Sequence, residues 1–179
     1  MSPRKTPEDI LIIKFPEACS ALLEQIVRAA GLLDDEDSNS GSRGSLAILD
    51  LGFGCGDQAL QLAKLAEARG WSDFRYVGLT LNRAQVRTAW GRIHYEIDVT
   101  GSGQETDTDD SGFDTGFVVG VDSFALFCAD AAKPETWRDE VAEAVHSLAD
   151  EKYMERWLLA LDCLYYFLPL RKPIFKYMA

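Results

Sequence analysis

Apolar residues recur along the chain at two different periods, and the switches between them mark out the elements. Leu23, Ile26, Val27 and Ala30 fall at i, i+3, i+4 and i+7, which predicts a helix from Pro16 to Ala30 ended by Gly31. Leu46-Ala47-Ile48-Leu49 is a short unbroken apolar run of the kind a buried strand carries. Helical spacing returns at Ala59, Leu62, Ala63 and Ala66, predicting a helix from about Asp57 to Arg69 with Gly70 beyond its end. Phe74 to Leu79 reads as a second strand, and Asn82 as the cap of a third helix whose buried face is Val86, Ala89, Trp90 and Ile93. A third strand is expected at Ser123 to Cys128. Pro134 suits the first turn of a fourth helix that turns Val141, Ala144, Val145 and Leu148 inward. A fourth strand follows at Trp157 to Leu161, and Pro173 opens one more helix.

Strands and helices that alternate in this way, with the strands apolar throughout, argue for a parallel sheet covered by helices. The expected fold class is therefore α/β, a Rossmann-like parallel sheet flanked by helices. Residues 1–33 form an N-terminal helical segment, 34–45 read as an acidic, flexible linker, and 46–179 make one domain interrupted by a polar insertion at 96–114.

Composition narrows the function classes. Of 179 residues, 47% are hydrophobic, enough for one core, so wholesale disorder is excluded. The net charge is −11, and it is concentrated: the segments 34–45 and 96–114 together hold eleven acids and one base. The remainder is close to neutral and offers no basic face, so a nucleic-acid partner is not expected. Cys19, Cys55, Cys128 and Cys163 lie far apart with no C-x-x-C pair, and His94 and His146 are the only histidines, so neither a disulfide framework nor a metal site is expected. No apolar run approaches the ~18 residues of a membrane-spanning helix. The apolar stretch Ile10 to Ile13 is too short and too interrupted by charge to be a secretory core, which points to the cytoplasm.

The chemistry is carried by the turn after the first strand. Asp50-Leu51-Gly52-Phe53-Gly54-Cys55-Gly56-Asp57 passes from strand to helix, and glycine there lets the backbone turn sharply and approach a ligand closely. In open α/β sheets ligands bind outside the carboxyl ends of the strands. A dinucleotide fingerprint needs G-x-G-x-x-G, whereas this chain reads G-x-G-x-G, and Asp57 at the helix start would repel a pyrophosphate. Both features disfavour NAD and FAD.

This segment resembles the first motif of the class I S-adenosylmethionine-dependent methyltransferases. Gly78-Leu79-Thr80-Leu81-Asn82-Arg83-Ala84-Gln85 is similar to the G-x-T-x-(S/N)-x-x-Q segment of their branch that includes cyclopropane fatty-acid synthases and sterol C-methyltransferases. Cys128-Ala129-Asp130-Ala131 resembles the family's adenine-binding step, and Leu159 to Phe167 its fourth-strand segment, with Tyr165 or Tyr166 where many relatives carry histidine. The resemblance implies S-adenosyl-L-methionine as cofactor. Asp50, Gly52, Phe53, Gly54 and Gly56 would hold its methionine end, Thr80 and Leu81 the ribose region, and Asp130 and Ala131 the adenine. Most members place an acid where this chain offers Thr80 and Asn82, whose side chains can still hydrogen-bond a hydroxyl. Asp162, Tyr165 and Tyr166 are candidates for the acceptor side, and no catalytic residue is named.

The expected activity is methyl transfer to a small-molecule or lipid-like acceptor. The family fold has seven strands and the pattern places four here, so the chain is expected to be truncated at its C-terminal side. That motivates the alternative, a catalytically inactive chain that binds cofactor or acts as an interaction protein. Oligomeric state is not encoded in any motif.

Overall fold

The computed structural model describes residues 15–31, 43–101, 119–161, 163–164, 167 and 172–178. The chain divides into two units, 1–38 and 39–179. The first contains helix α1, Phe15–Ala29, followed by Gly31 at φ +83°, so the glycine stop read from the sequence is where the helix ends.

The second unit is built on strands β1 (Arg43–Leu51), β2 (Trp71–Thr80), β3 (Phe124–Cys128) and β4 (Glu155–Leu159). They pair in parallel throughout, in the spatial order β3-β2-β1-β4. Helices α2 (Asp57–Ala68), α3 (Arg83–Gly101) and α4 (Asp139–His146) are the crossovers, and α5 (Lys172–Met178) follows β4. The fold is thus α/β and Rossmann-like, a four-stranded parallel sheet flanked by helices. No helix among the described residues is long and apolar enough to cross a membrane.

Strand alternation divides the core between the two faces of the sheet. Ala47, Leu49 and Leu51 of β1 join Val77 and Leu79 of β2 in one cluster with Val141, Val145 and Leu148 of the α4 region and Ile174 of α5. The intervening residues Leu46, Ile48, Phe74 and Tyr76 are equally buried and face the other way, where Gln58 of α2 reaches Asp50. Phe74, Tyr76 and Phe124 form an aromatic group there, with centroids 5.8–6.5 Å apart. Helix α2 buries Ala59, Leu62, Ala63 and Ala66, the four positions read from its spacing.

Several boundaries differ from the sequence reading; β2 begins at Trp71 and not Phe74, and β4 ends at Leu159 and not Leu161. Strand β1 begins at Arg43, so 43–45 belong to the sheet and not to the linker; residues 34–42 lie outside the described residues. Helix α3 continues through Glu96–Gly101, the first six residues of the expected insertion, while 102–118 lie outside the described residues. Pro134 opens a short 3-10 turn, Pro134–Thr136, and not α4. The break follows because Trp137 and Arg138 are extended, and the Trp137 indole N–H is held by the Asp130 carbonyl at 2.8 Å. Strand β4 starts two residues early, at Glu155, because its exposed charged residues at one end of the sheet hide it from an apolar pattern.

Candidate functional site

The strand order sets three of the sequence motifs side by side. β1, β2 and β3 are adjacent, and the segments carrying Gly52, Thr80 and Asp130 leave their carboxyl ends. Two backbone hydrogen bonds continue the ladder past the strands: Gly52 N–H donates to Leu79 C=O at 2.7 Å, and Ala129 N–H to Thr80 C=O at 2.9 Å. The three ends are thereby held level. Between β1 and β4 the strand order reverses, and a ligand crevice forms at such a switch point in open α/β sheets. On the β4 side, Cys163 closes on the turn: its thiol donates to Leu51 C=O at 2.9 Å, and a Cβ on Gly52 would stand 3.0 Å from its Cβ.

The glycine turn is left-handed at each glycine, with φ +83° at Gly52, +64° at Gly54 and +92° at Gly56. Gly56 is the residue from which α2 starts, its carbonyl accepting from Leu60 N–H at 3.1 Å. A Cβ there would fall 2.8 Å from the Cβ of Ala89 and 2.9 Å from its Cα, so glycine is what allows α2 and α3 to meet. Gly54 is the opposite case. A Cβ on it would meet nothing within 4 Å, so the turn leaves open space at its tip.

Asp50 is fully buried beneath that turn. The Tyr76 hydroxyl donates to its Oδ2 at 2.5 Å and the Gln58 amide at 2.6 Å, while its Oδ1 has no partner among the described residues. Burial pushes its carboxyl up to about 7, against the two hydrogen bonds that pull it down. The Tyr76 phenol is raised well above its ordinary value, first by burial and then by the Asp50 charge. Asp50 therefore braces β1 against β2 and α2 from within.

A stability effect follows. The folded Asp50 keeps its proton up to about pH 7, whereas the unfolded chain releases it near 3.8. Between those values the native state binds the extra proton, so this group's contribution falls as pH rises, by about 4 kcal/mol over the whole interval. Asp50→Asn should remove that component. In urea unfolding at pH 5 and pH 8, the variant is expected to gain stability relative to the native chain on going to the higher pH. A difference between the two chains that stays constant with pH would refute the assignment.

The other candidates differ in what they leave available. Phe53 is buried, its ring over Gly78, where a Cβ would come within 2.6 Å of it; its side chain belongs to the core. Thr80 is buried too, its hydroxyl donating to Gln85 Oε1 at 2.6 Å and accepting from Asn82 N–H at 3.3 Å. Asn82 Oδ1 accepts from Ala84 N–H at 2.9 Å, the capping role read from the sequence. These contacts tie both side chains into the start of α3. Leu81, 70% exposed, is the open member of that segment. At Asp130, Oδ1 accepts from Ala132 N–H at 2.9 Å and Oδ2 lies 3.7 Å from the Lys133 ammonium, and Ala131 is buried. Asp162, Tyr165 and Tyr166 lie outside the described residues.

Sequence reasoning missed Tyr76 and Gln58. Asp50 is in register with Gly78, which has no side chain, so Tyr76 two residues earlier on the same face can reach over it. The signal was an aromatic hydroxyl two residues before a strand glycine opposite an acid. Asp57 also differs from expectation, since it forms an ion pair with Arg92, which additionally donates to Cys55 C=O at 3.3 Å. Its repulsion of a pyrophosphate is offset by that cation, and the exclusion of a dinucleotide rests on glycine spacing alone.

No family model matches the chain, and no curated protein does.

Proposed function

We propose that this chain is an S-adenosylmethionine-dependent methyltransferase acting on a small-molecule or lipid-like acceptor, and that it works in the cytoplasm. The observation that carries the reading is the juxtaposition on adjacent strand ends of the glycine turn, the Thr80-Leu81-Asn82 segment and the Asp130-Ala131 step. Open space at Gly54 supports it, because a ligand needs there the room that a side chain would fill. The Rossmann-like sheet on its own is shared by many activities and does not choose among them.

In this reading the turn 52–56 lines the methionine end through its backbone, and Leu81 lies against the ribose region. The Asp130 Oδ2 accepts from the adenine amine. Asp50 acts through the backbone: fixed by Tyr76 and Gln58, it sets the direction in which β1 delivers the turn. When bound, the cofactor supplies an electrophilic methyl on a sulfonium. The protein's part is to hold an acceptor in line with it, the contribution that positioning makes to bimolecular reactions.

Asp130→Ala tests the adenine assignment. The variant removes a partly exposed carboxylate, and S-adenosylhomocysteine affinity should fall about tenfold, the loss of one hydrogen bond of about 1.4 kcal/mol. Asp130→Asn, which keeps the turn hydrogen bond to Ala132, should bind better than Asp130→Ala. Equal affinity of both variants and the native chain would remove Asp130 from the site.

A further inference from the structure

The edge of the sheet at β3 carries an inference that does not depend on the methyltransferase reading. Among the described residues β3 pairs only with β2, so alternate backbone N–H and C=O groups along its other side have no strand to meet. Exposed edges are normally guarded by a lysine, a proline, an inward charge or a bulge. Phe124-Ala-Leu-Phe-Cys128 has no charge and no proline.

A groove of about 820 Å³ runs along this edge, between β3, α3 and the start of α4. Its α3 wall presents Arg83, Arg87 and Trp90, a stripe at i, i+4 and i+7. The Trp90 ring packs on that of His94 at 5.6 Å. Arg83 and Arg87 are both exposed, and among the described residues neither has an acidic partner within ion-pair distance. Arg138 lines the other wall and is paired with Glu140. The groove is therefore locally basic on a chain of net charge −11.

Spacing selects the occupant. Residues four apart on a helix stand about 6 Å apart along its axis. Alternate side chains on a strand recur every ~6.7 Å. A strand added at the β3 edge would turn every second side chain toward α3, so acids at i and i+2 would meet Arg87 and Arg83 in turn.

We propose that the β3 edge is a docking groove for an extended acidic segment of a partner protein, which adds as a further strand and pairs an acid-x-acid sequence with Arg83 and Arg87. Strand addition supplies affinity through the backbone, and the arginines supply selectivity.

The test uses the full chain and a fluorescein-labelled peptide of alternating glutamate and valine, read by fluorescence anisotropy. Saturable binding is expected, weakened about tenfold or more by the double variant Arg83→Glu, Arg87→Glu, and to a similar extent by a proline at the centre of the peptide. Both substituted positions are exposed, and an unchanged melting temperature shows that the double variant is folded. The peptide with proline probes the backbone pairing on the native protein itself. Absence of saturable binding, equal binding by the double variant, or equal binding of the proline peptide would each overturn the proposal. So would displacement of the peptide by a single-stranded oligothymidylate of higher affinity, which would make the groove a phosphate site. A native dimer broken by the double variant would also overturn it, by giving the groove to a second copy of this chain.

Discussion

Gly56→Val is expected to destabilise the second unit by about 4 kcal/mol, the largest stability effect of any single change in the turn. Two terms add. A β-branched residue held at φ +92° carries left-handed strain of about 1–3 kcal/mol. Its Cβ would also overlap Ala89, 2.8 Å from the Cβ and 2.9 Å from the Cα, and overpacking against backbone costs a further ~1–3 kcal/mol because α3 cannot simply rotate a side chain away. Since domains of ordinary stability hold about 5–15 kcal/mol in total, the urea midpoint should fall by about a quarter to four fifths. A loss below about 1 kcal/mol would mean that α2 and α3 do not meet at Gly56 as described.

The same substitution two residues earlier should behave quite differently. The Cβ of Gly54→Val meets nothing within 4 Å, so the strain of φ +64°, about 1–3 kcal/mol, is the main cost, and the protein should still fold. The effect falls on binding instead. The valine side chain would occupy the open tip of the turn, where the proposed ligand approaches the backbone, and S-adenosylhomocysteine affinity should drop at least about a hundredfold, or about 2.7 kcal/mol. Circular dichroism and calorimetry on the same preparation separate the two readouts. Native affinity in a folded Gly54→Val chain would place the ligand elsewhere.

The contrast between Gly54 and Gly56 also shows what the sequence could and could not convey. That both are glycines in a strand-to-helix turn was legible, because the apolar run of β1 stops at Leu51 and helical spacing begins at Ala59. Which glycine serves packing and which leaves room for a ligand was not, because Ala89 is far away in sequence and comes near only once α3 is in place. Asp50 repeats the lesson. Its type and position were legible, but its burial follows from register with Gly78, the reach of Tyr76 and the placement of Gln58 on the first turn of α2. The hydrogen bond from the Thr80 hydroxyl to Gln85, five residues on, was not legible either. Local signals found strands and helices well where the elements are apolar and failed at the polar start of β4 and at the acidic end of α3. The arginine groove lies beyond any local pattern, since Arg83 opens α3 and Arg138 is the extended residue before α4, with β3 between them in the chain.

Equilibrium calorimetry of the native chain with S-adenosylhomocysteine, and with NADH in parallel, tests the central claim most directly. Micromolar binding of S-adenosylhomocysteine, worth about −8 kcal/mol, with no heat from NADH, is the predicted result. A folded chain that stays silent toward S-adenosylhomocysteine at millimolar concentration, or that binds NADH saturably in its place, would contradict it.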